Sequence, residues 1–575
     1  MSTMLKRTLV AAGVIALFCL IPALATAQGP GAGPGAGPGP EAGQGAATLT
    51  TFATDDFSGS GVCAMCHSGL TDEANNDVSN DAHWRSTMMA NAAKDPLWQA
   101  KISSEVDRAS HLGQAIEEKC SRCHMGMARH QQLADGDTKY DIYVLGSGFL
   151  DPNHALHEAA MDGVSCTLCH QVQPKFLGEP DSYTGQYVIE TTTSPPNRLI
   201  FGPYQNPFGN PMQQSSGFDP TVGDQIEDPA HCGSCHTLYT PVLDANGDPV
   251  PVPGTDPVEY TEFPEQTTYL EWEHGSVART CQGCHLPVVE GEGGVVISNR
   301  PPRLAPRDPF YQHHFVGGNS YMVGLLMTNA IDLGVTADTP HFEATIDRTD
   351  ALLSQSAQLT VATERTGDLL TVTVDVENLA GHKMPSGLPS RRAWLHLLVV
   401  DENGAVVFES GRPMGDGRIE GNAADEDLAA WEPHYDRIDS PDQVQIYEPI
   451  MLNTDGEVTY TLLRAYEYRK DNRLLPAGFN KHNAHAHIGV YGDAKSDNDF
   501  VGGSDEVVYE VGIAGVTGAL HVTAELLFQS VSHPFVTDLA PANTPLPPLV
   551  DRFMAMYDPA ANEEEVLHKV EATVE

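Results

Sequence analysis

Hydrophobic positions along this chain follow three successive patterns. Between Leu9 and Leu20 they form a nearly unbroken apolar run, preceded by Lys6 and Arg7 and followed by Ala25-Thr26-Ala27. A basic start, an apolar stretch too short for a membrane span and a small-residue cleavage site predict a secretory signal peptide over residues 1–27. The cut falls before Gln28 and removes Cys19. The Gly/Pro/Ala repeat from Gly29 to Pro40 has nothing to bury and predicts a flexible leader over 28–50.

Helical spacing marks the second pattern, up to about His341. Asn80-Asp81-Ala82 opens a helix through Ala93, and Asp95-Pro96 opens another. A third is predicted from about Pro152 to Asp162, stopping at Gly163, and a fourth from Gln266 to Ala278. An apolar helix over Asn319 to Leu333 closes the region. Beyond Asp350 the period changes to two, in Leu370 to Val376, Trp394 to Val400, Val458 to Leu463 and His521 to Phe528. Turns at Asp401-Glu402-Asn403-Gly404 and Asp455-Gly456 separate such stretches and predict antiparallel strands. The fold class expected is therefore α+β and multidomain. A mainly α-helical and loop-rich domain spans 51–349, an antiparallel β-sandwich spans 350–540, and a C-terminal tail with helical character spans 541–575.

Charge narrows the partners. Asp and Glu number 77 against 32 Lys and Arg, a net charge of −45 that excludes nucleic acid as a partner. Such acidity suits docking to basic redox proteins, and equally a strongly solvated surface. After the signal peptide no segment approaches membrane-spanning length, so the expected location is periplasmic or extracellular.

Cysteine placement carries the chemistry. Five Cys-x-x-Cys-His motifs occur: Cys63, Cys66 and His67; Cys120, Cys123 and His124; Cys166, Cys169 and His170; Cys232, Cys235 and His236; Cys281, Cys284 and His285. Two thiols three positions apart reach the two vinyl groups of a porphyrin, and the following imidazole becomes the proximal iron ligand. Redox dithiols, zinc knuckles and disulfides do not require that histidine. Five covalently attached haem c groups are therefore predicted.

Each iron has a second face. Up to His341 ten further histidines are available: His83, His111, His130, His154, His157, His231, His274, His313, His314 and His341. Supply exceeds demand, which points to mostly bis-histidine, six-coordinate haems. By context the candidates for distal ligands are His83, His130, His154, His157, His274, His313 and His314, with Met88 and Met89 competing for the first haem. His382, in a Gly-rich loop beside Lys383, could reach across from the strand-rich half to an iron or a propionate. His485 and His487 would share one face of a strand, and Asp244-Ala245-Asn246-Gly247-Asp248 misses the calcium-loop pattern.

The segments Asp162 to His170, Ser86 to Pro96, Cys281 to Pro287 and Asn378 to Gly387 resemble bacterial multihaem cytochromes c of the cytochrome c-552/4 type, related to the haem proteins of nitrification. The resemblance implies closely packed haems along which electrons move. Nitrite-reducing relatives carry Cys-x-x-Cys-Lys at the catalytic haem, which this chain lacks. The function expected is thus electron transfer between redox proteins. The alternatives are an oxidoreductase acting on a small nitrogen or sulfur compound at one open haem, and a self-associating subunit of a conductive filament.

Overall fold

Side-chain caps decide where the helices of the first half begin and end. The computed structural model describes residues 48–291 and 293–575; the expected signal peptide and nearly all of the leader lie outside the described residues. Asp95 accepts the Leu97 and Trp98 amides at 2.9 and 3.4 Å, and Pro96 occupies the first turn, so the helix Pro96–Arg108 starts where the sequence places it. The helix expected through Ala93 stops at Trp84 instead. Thr87 takes the Ala90 amide and Asn91 donates to the Arg85 and Thr87 carbonyls, so side chains capture backbone groups that a helix needs. Around the third motif, Asp151 and His154 likewise accept the Asn153 and Leu156 amides, and only His157–Met161 is helical. The remaining two expected helices shorten to Thr268–His274, and to Ser320–Thr328 followed by Ala330–Leu333.

Glycine is required at one crossing. Gly163 has φ +63°, and a Cβ there would lie 2.6 Å from the Ala90 carbonyl oxygen. Only glycine lets the chain pass this close and enter the third motif.

Period-two alternation produces the sheets of the second half. Ala357–Thr366, Leu369–Asn378 and Ser504–Gly512 pair antiparallel in that order, and Arg437–Ile438 adds in parallel to the last. A second sheet runs Ile446–Tyr447, Arg392–Asp401, Leu520–Gln529, Glu565–Val574, with Val406–Ser410 also on Arg392–Asp401. Alternate residues from both sheets, including Val372, Val374, Leu397, Val399, Val507, Tyr509, Val522 and Ala524, are buried in one shared core. Val458–Thr459 forms a short strand, but the expected extension to Leu463 turns into a 3-10 helix over Leu462–Arg464.

The segment expected as a tail does more than that. Pro548–Met556 is a helix, and Glu565–Val574 is the outer strand of the second sheet, so the strand-rich half extends beyond residue 540. The strand lies against Ala357–Thr366 of the other sheet, and the Leu359 amide donates to His568 Nδ1 at 3.3 Å. Val550 and Phe553 of that helix pack with Leu97, Ala100, Met322 and Phe342 of the first half. Composition changes near Asp350, yet packing does not, because this core draws on both sides.

Candidate haem-binding cavity

All fifteen cysteines and histidines of the five motifs line one continuous cavity of about 1310 Å³. Ordinary small-molecule pockets hold roughly 300–1,000 Å³. The ten cysteines are free thiols, none of them fully buried. The first, second and fifth motifs lie on Ser60–His67, Gly113–His124 and Cys281–His285, the two cysteines of the third on Cys166–Cys169, and the fourth starts on Pro229–Gly233 and runs past its end.

The motif histidines are oriented for ligation. Nδ1 meets a backbone carbonyl in four of them: His67 with Ile297 at 2.7 Å, His124 with Ala92 at 2.9 Å, His170 with Phe201 at 2.6 Å and His285 with Val316 at 2.7 Å. A carbonyl can only accept, so Nδ1 carries the proton and Nε2 keeps its lone pair, the second-sphere arrangement of metal-bound histidine. Burial pulls His313 down to about 3 and His124, His231 and His236 to about 4. At pH 7 these imidazoles are neutral, the form a metal requires.

Two of the eight distal candidates line the cavity, His313 and His382. The His313 ring lies 6.3 Å from that of His170, with 23° between the ring planes, and its Nδ1 meets the Tyr311 carbonyl at 3.2 Å. Two imidazoles sharing one metal have centroids about 6 Å apart, two bonds of about 2.0–2.1 Å plus the ring radii. His382 bonds the Lys383 carbonyl through Nδ1 at 2.8 Å, leaving Nε2 free.

The other six are placed elsewhere. His83 uses Nε2 on the Asp77 carbonyl at 3.0 Å and touches His314 edge-on at 4.7 Å, too close for an iron between them, while Met88 and Met89 do line the cavity. His130 stacks on Tyr187 with Nδ1 on the Gly126 carbonyl. His154 Nδ1 accepts the Leu156 amide, His157 carries Nδ1 on the Phe149 carbonyl at 2.8 Å as the motif histidines do but does not line this cavity, and His274 packs on Phe479. His231, outside the distal shortlist, lines the cavity with Nε2 3.1 Å from Cys169 Sγ. Its position immediately before Cys232, on a helix capped by Asp228, was the available signal.

A buried ionic network holds the His382 loop. Glu271, fully buried, accepts from the Lys383 amide at 3.2 Å and Ser386 Oγ at 2.7 Å, and pairs with Arg473 at 3.0 Å. Asp471 pairs with Lys383 Nζ at 2.7 Å and Arg473 at 2.8 Å. Burial would raise Asp471, but Arg473 and Lys383 hold it well below the usual carboxylate range. Glu271 comes from the first half and the rest from the second, so the network ties His382 to the motif region. Nearby Arg391 lines the cavity with the Ser386 carbonyl at 2.6 Å as its polar partner, and burial lowers it to about 10. A guanidinium facing the cavity without a carboxylate suits a haem propionate. By orientation and charge, these residues fit the predicted haem c groups.

Contacts between motifs give their adjacency. The Cys63 and Cys166 thiols touch, as do Cys123 with Cys235 and Cys232 with Cys281. With His231 against Cys169, the fourth motif adjoins the second, third and fifth.

Two other sequence suggestions resolve differently. His485 caps a 3-10 turn that contains His487, so the two are not on a strand, and Asp244 spends its carboxylate on the Asn246 and Asp248 amides of its own turn. No helix among the described residues is long and apolar enough to cross a membrane.

No family model matches the chain, and no curated relative does. Among solved structures it is similar to a penta-heme cytochrome c552 from Thermochromatium tepidum, at 16% identity over 89% of this chain and 98% of that one, with a TM-score of 0.49.

Proposed function

We propose that this chain is an exported pentahaem c-type cytochrome that transfers electrons between redox proteins. One observation carries the reading: all five motifs open onto one cavity, with four proximal histidines preset by backbone carbonyls to present Nε2. When bound, haem c supplies one-electron exchange at iron.

The residues divide that task. The ten motif thiols would anchor the groups, and His67, His124, His170, His236 and His285 would ligate the irons. His313 would complete the site of His170, and His382 would add a second imidazole from the strand-rich half beside His285. Arg391 offsets propionate charge. The fourth motif, touching three others, is a junction in the array. The strand-rich half acts as a β-sandwich lid that excludes water and supplies His382. The acidic surface favours a basic docking partner, and export follows from residues 1–27.

The test is a pyridine haemochrome and iron count on the exported protein, with low-temperature electron paramagnetic resonance. Five haems, all low-spin, support the carrier. Fewer than five covalent haems sinks the assignment. A stoichiometric high-spin haem favours an oxidoreductase acting at one open iron. His236, which lines the cavity and makes no Nδ1 hydrogen bond among the described residues, would be the centre to examine.

A further inference from the structure

One short segment, Ala92 to Trp98, holds the imidazole of the second motif from two directions. His124 Nδ1 meets the Ala92 carbonyl at 2.9 Å, and the Trp98 ring lies against the same imidazole, with centroids 4.4 Å apart and 7° between the planes. Aromatic pairs span about 4.5–7 Å between centroids, so this is a face contact at the short end of the range. Trp98 and His124 both line the cavity.

The segment keeps its two contact groups at a fixed separation. Asp95 accepts the Leu97 and Trp98 amides, and Pro96 sets the first turn of the helix that carries Trp98. Gln99, 3% exposed, donates Nε2 to the Ala93 carbonyl at 2.8 Å and its own amide to the Asp95 carbonyl at 3.0 Å. The Ala92 carbonyl and the indole therefore move together, and His124, at the end of the separate helix Gly113–His124, is docked against both.

These contacts restrain different motions. The Nδ1 hydrogen bond lies in the ring plane and tolerates tilt, since such bonds weaken steeply only below about 120°. Histidine χ2 is itself broad, so the ring has room to rock. A flat indole against its face opposes that rocking. Among the described residues no other proximal histidine has an aromatic ring this close: His67 and His285 have the carbonyl alone, His170 has His313 at 6.3 Å, and His236 has neither.

We propose that Trp98 is a positioning residue for electron transfer at the second motif: its indole fixes the plane of the His124 imidazole, which the Ala92 carbonyl alone leaves free to tilt. The proposal rests on the haem reading given under Proposed function. An imidazole held in one plane rearranges little as an electron arrives or leaves, so exchange at this motif is preset by the protein.

The full-length haem-loaded protein is compared with Trp98→Phe, which keeps a flat face, and with Trp98→Met and Trp98→Leu, which fill the space without one. Haem is counted by pyridine haemochrome, and low-temperature electron paramagnetic resonance of the oxidised protein reads the g values, which follow the direction of a ligand's ring plane. Five haems are expected in the parent and in each variant. Trp98→Met and Trp98→Leu should each shift and broaden the signal of one haem in five, while Trp98→Phe stays close to the parent. Met and Leu variants whose g values match the parent's overturn the proposal, whatever happens to Tm. An equal shift in Trp98→Phe overturns it as well, because a benzene ring preserves the face contact. A parent with fewer than five haems fails the haem reading itself, which separates that failure from the failure of Trp98.

Discussion

The rings of His170 and His313 lie 6.3 Å apart, each with Nδ1 on a backbone carbonyl and Nε2 left free. This is the spacing of two imidazoles on opposite faces of one iron. Replacing His313 by alanine should open one haem of the five and leave the others unchanged. Electron paramagnetic resonance should then show one high-spin haem per chain; a spectrum identical to the parent's would show that another residue completes the site.

Glu271 is the acid on which the Lys383 amide, Ser386 and Arg473 converge. Glu271→Ala leaves a buried guanidinium half-paired, and breaking such a pair costs about 3–5 kcal/mol. Chemical denaturation followed by tryptophan fluorescence or circular dichroism measures it. Because the network holds the His382 loop, the haem spectrum should also change, which a purely global loss of stability would not cause below the transition.

The helix Pro548–Met556 seats Phe553 in a core shared with Leu97, Met322 and Phe342. Phe553 is fully buried, so Phe553→Ala should cost about 3–5 kcal/mol. A cost below about 1 kcal/mol would mean that this helix is not part of the cooperative unit.

Glu565 is raised to about 7, first by burial and then by Asp350, against hydrogen bonds from Ser320 that lower it. A carboxyl raised in the folded state gives stability that is fully present below its unfolded value and is lost as pH rises through the folded one. Glu565→Gln should therefore leave Tm nearly unchanged at pH 5 and raise it at pH 8. Thermal melts at the two pH values decide it, and an equal shift at both would contradict the assignment.

The five motifs were the most legible feature of the sequence, because each is a local five-residue pattern, and the fold brings all fifteen of their cysteines and histidines to one cavity. The long alternating strands were legible for a similar reason: burial on one face repeats every second residue, as in Leu370 to Val376. Local competition was harder to read. The run from Ser86 to Asn91 has helical spacing, but Thr87 and Asn91 bond their own backbone. Distal ligands were the least legible, since they depend on contacts distant in sequence. His313 is brought to His170 across more than a hundred residues, whereas His154 and His157, close before the third motif in sequence, do not line the cavity. The strand Glu565–Val574 was hidden behind acidic Glu563-Glu564-Glu565, although Val570, Ala572 and Val574 carry the alternation.

The mutual cover of Ala357–Thr366 and Glu565–Val574 bears on assembly. An outer strand with free amides and carbonyls is a template for another chain, and proteins suppress such templating by covering or charging it. Here the two outermost strands shield each other, and Lys569, paired with Glu525 and Glu571, adds charge that an incoming strand would have to desolvate. Growth by strand addition is blocked along this side, so copies of the chain that associate must meet through other surfaces.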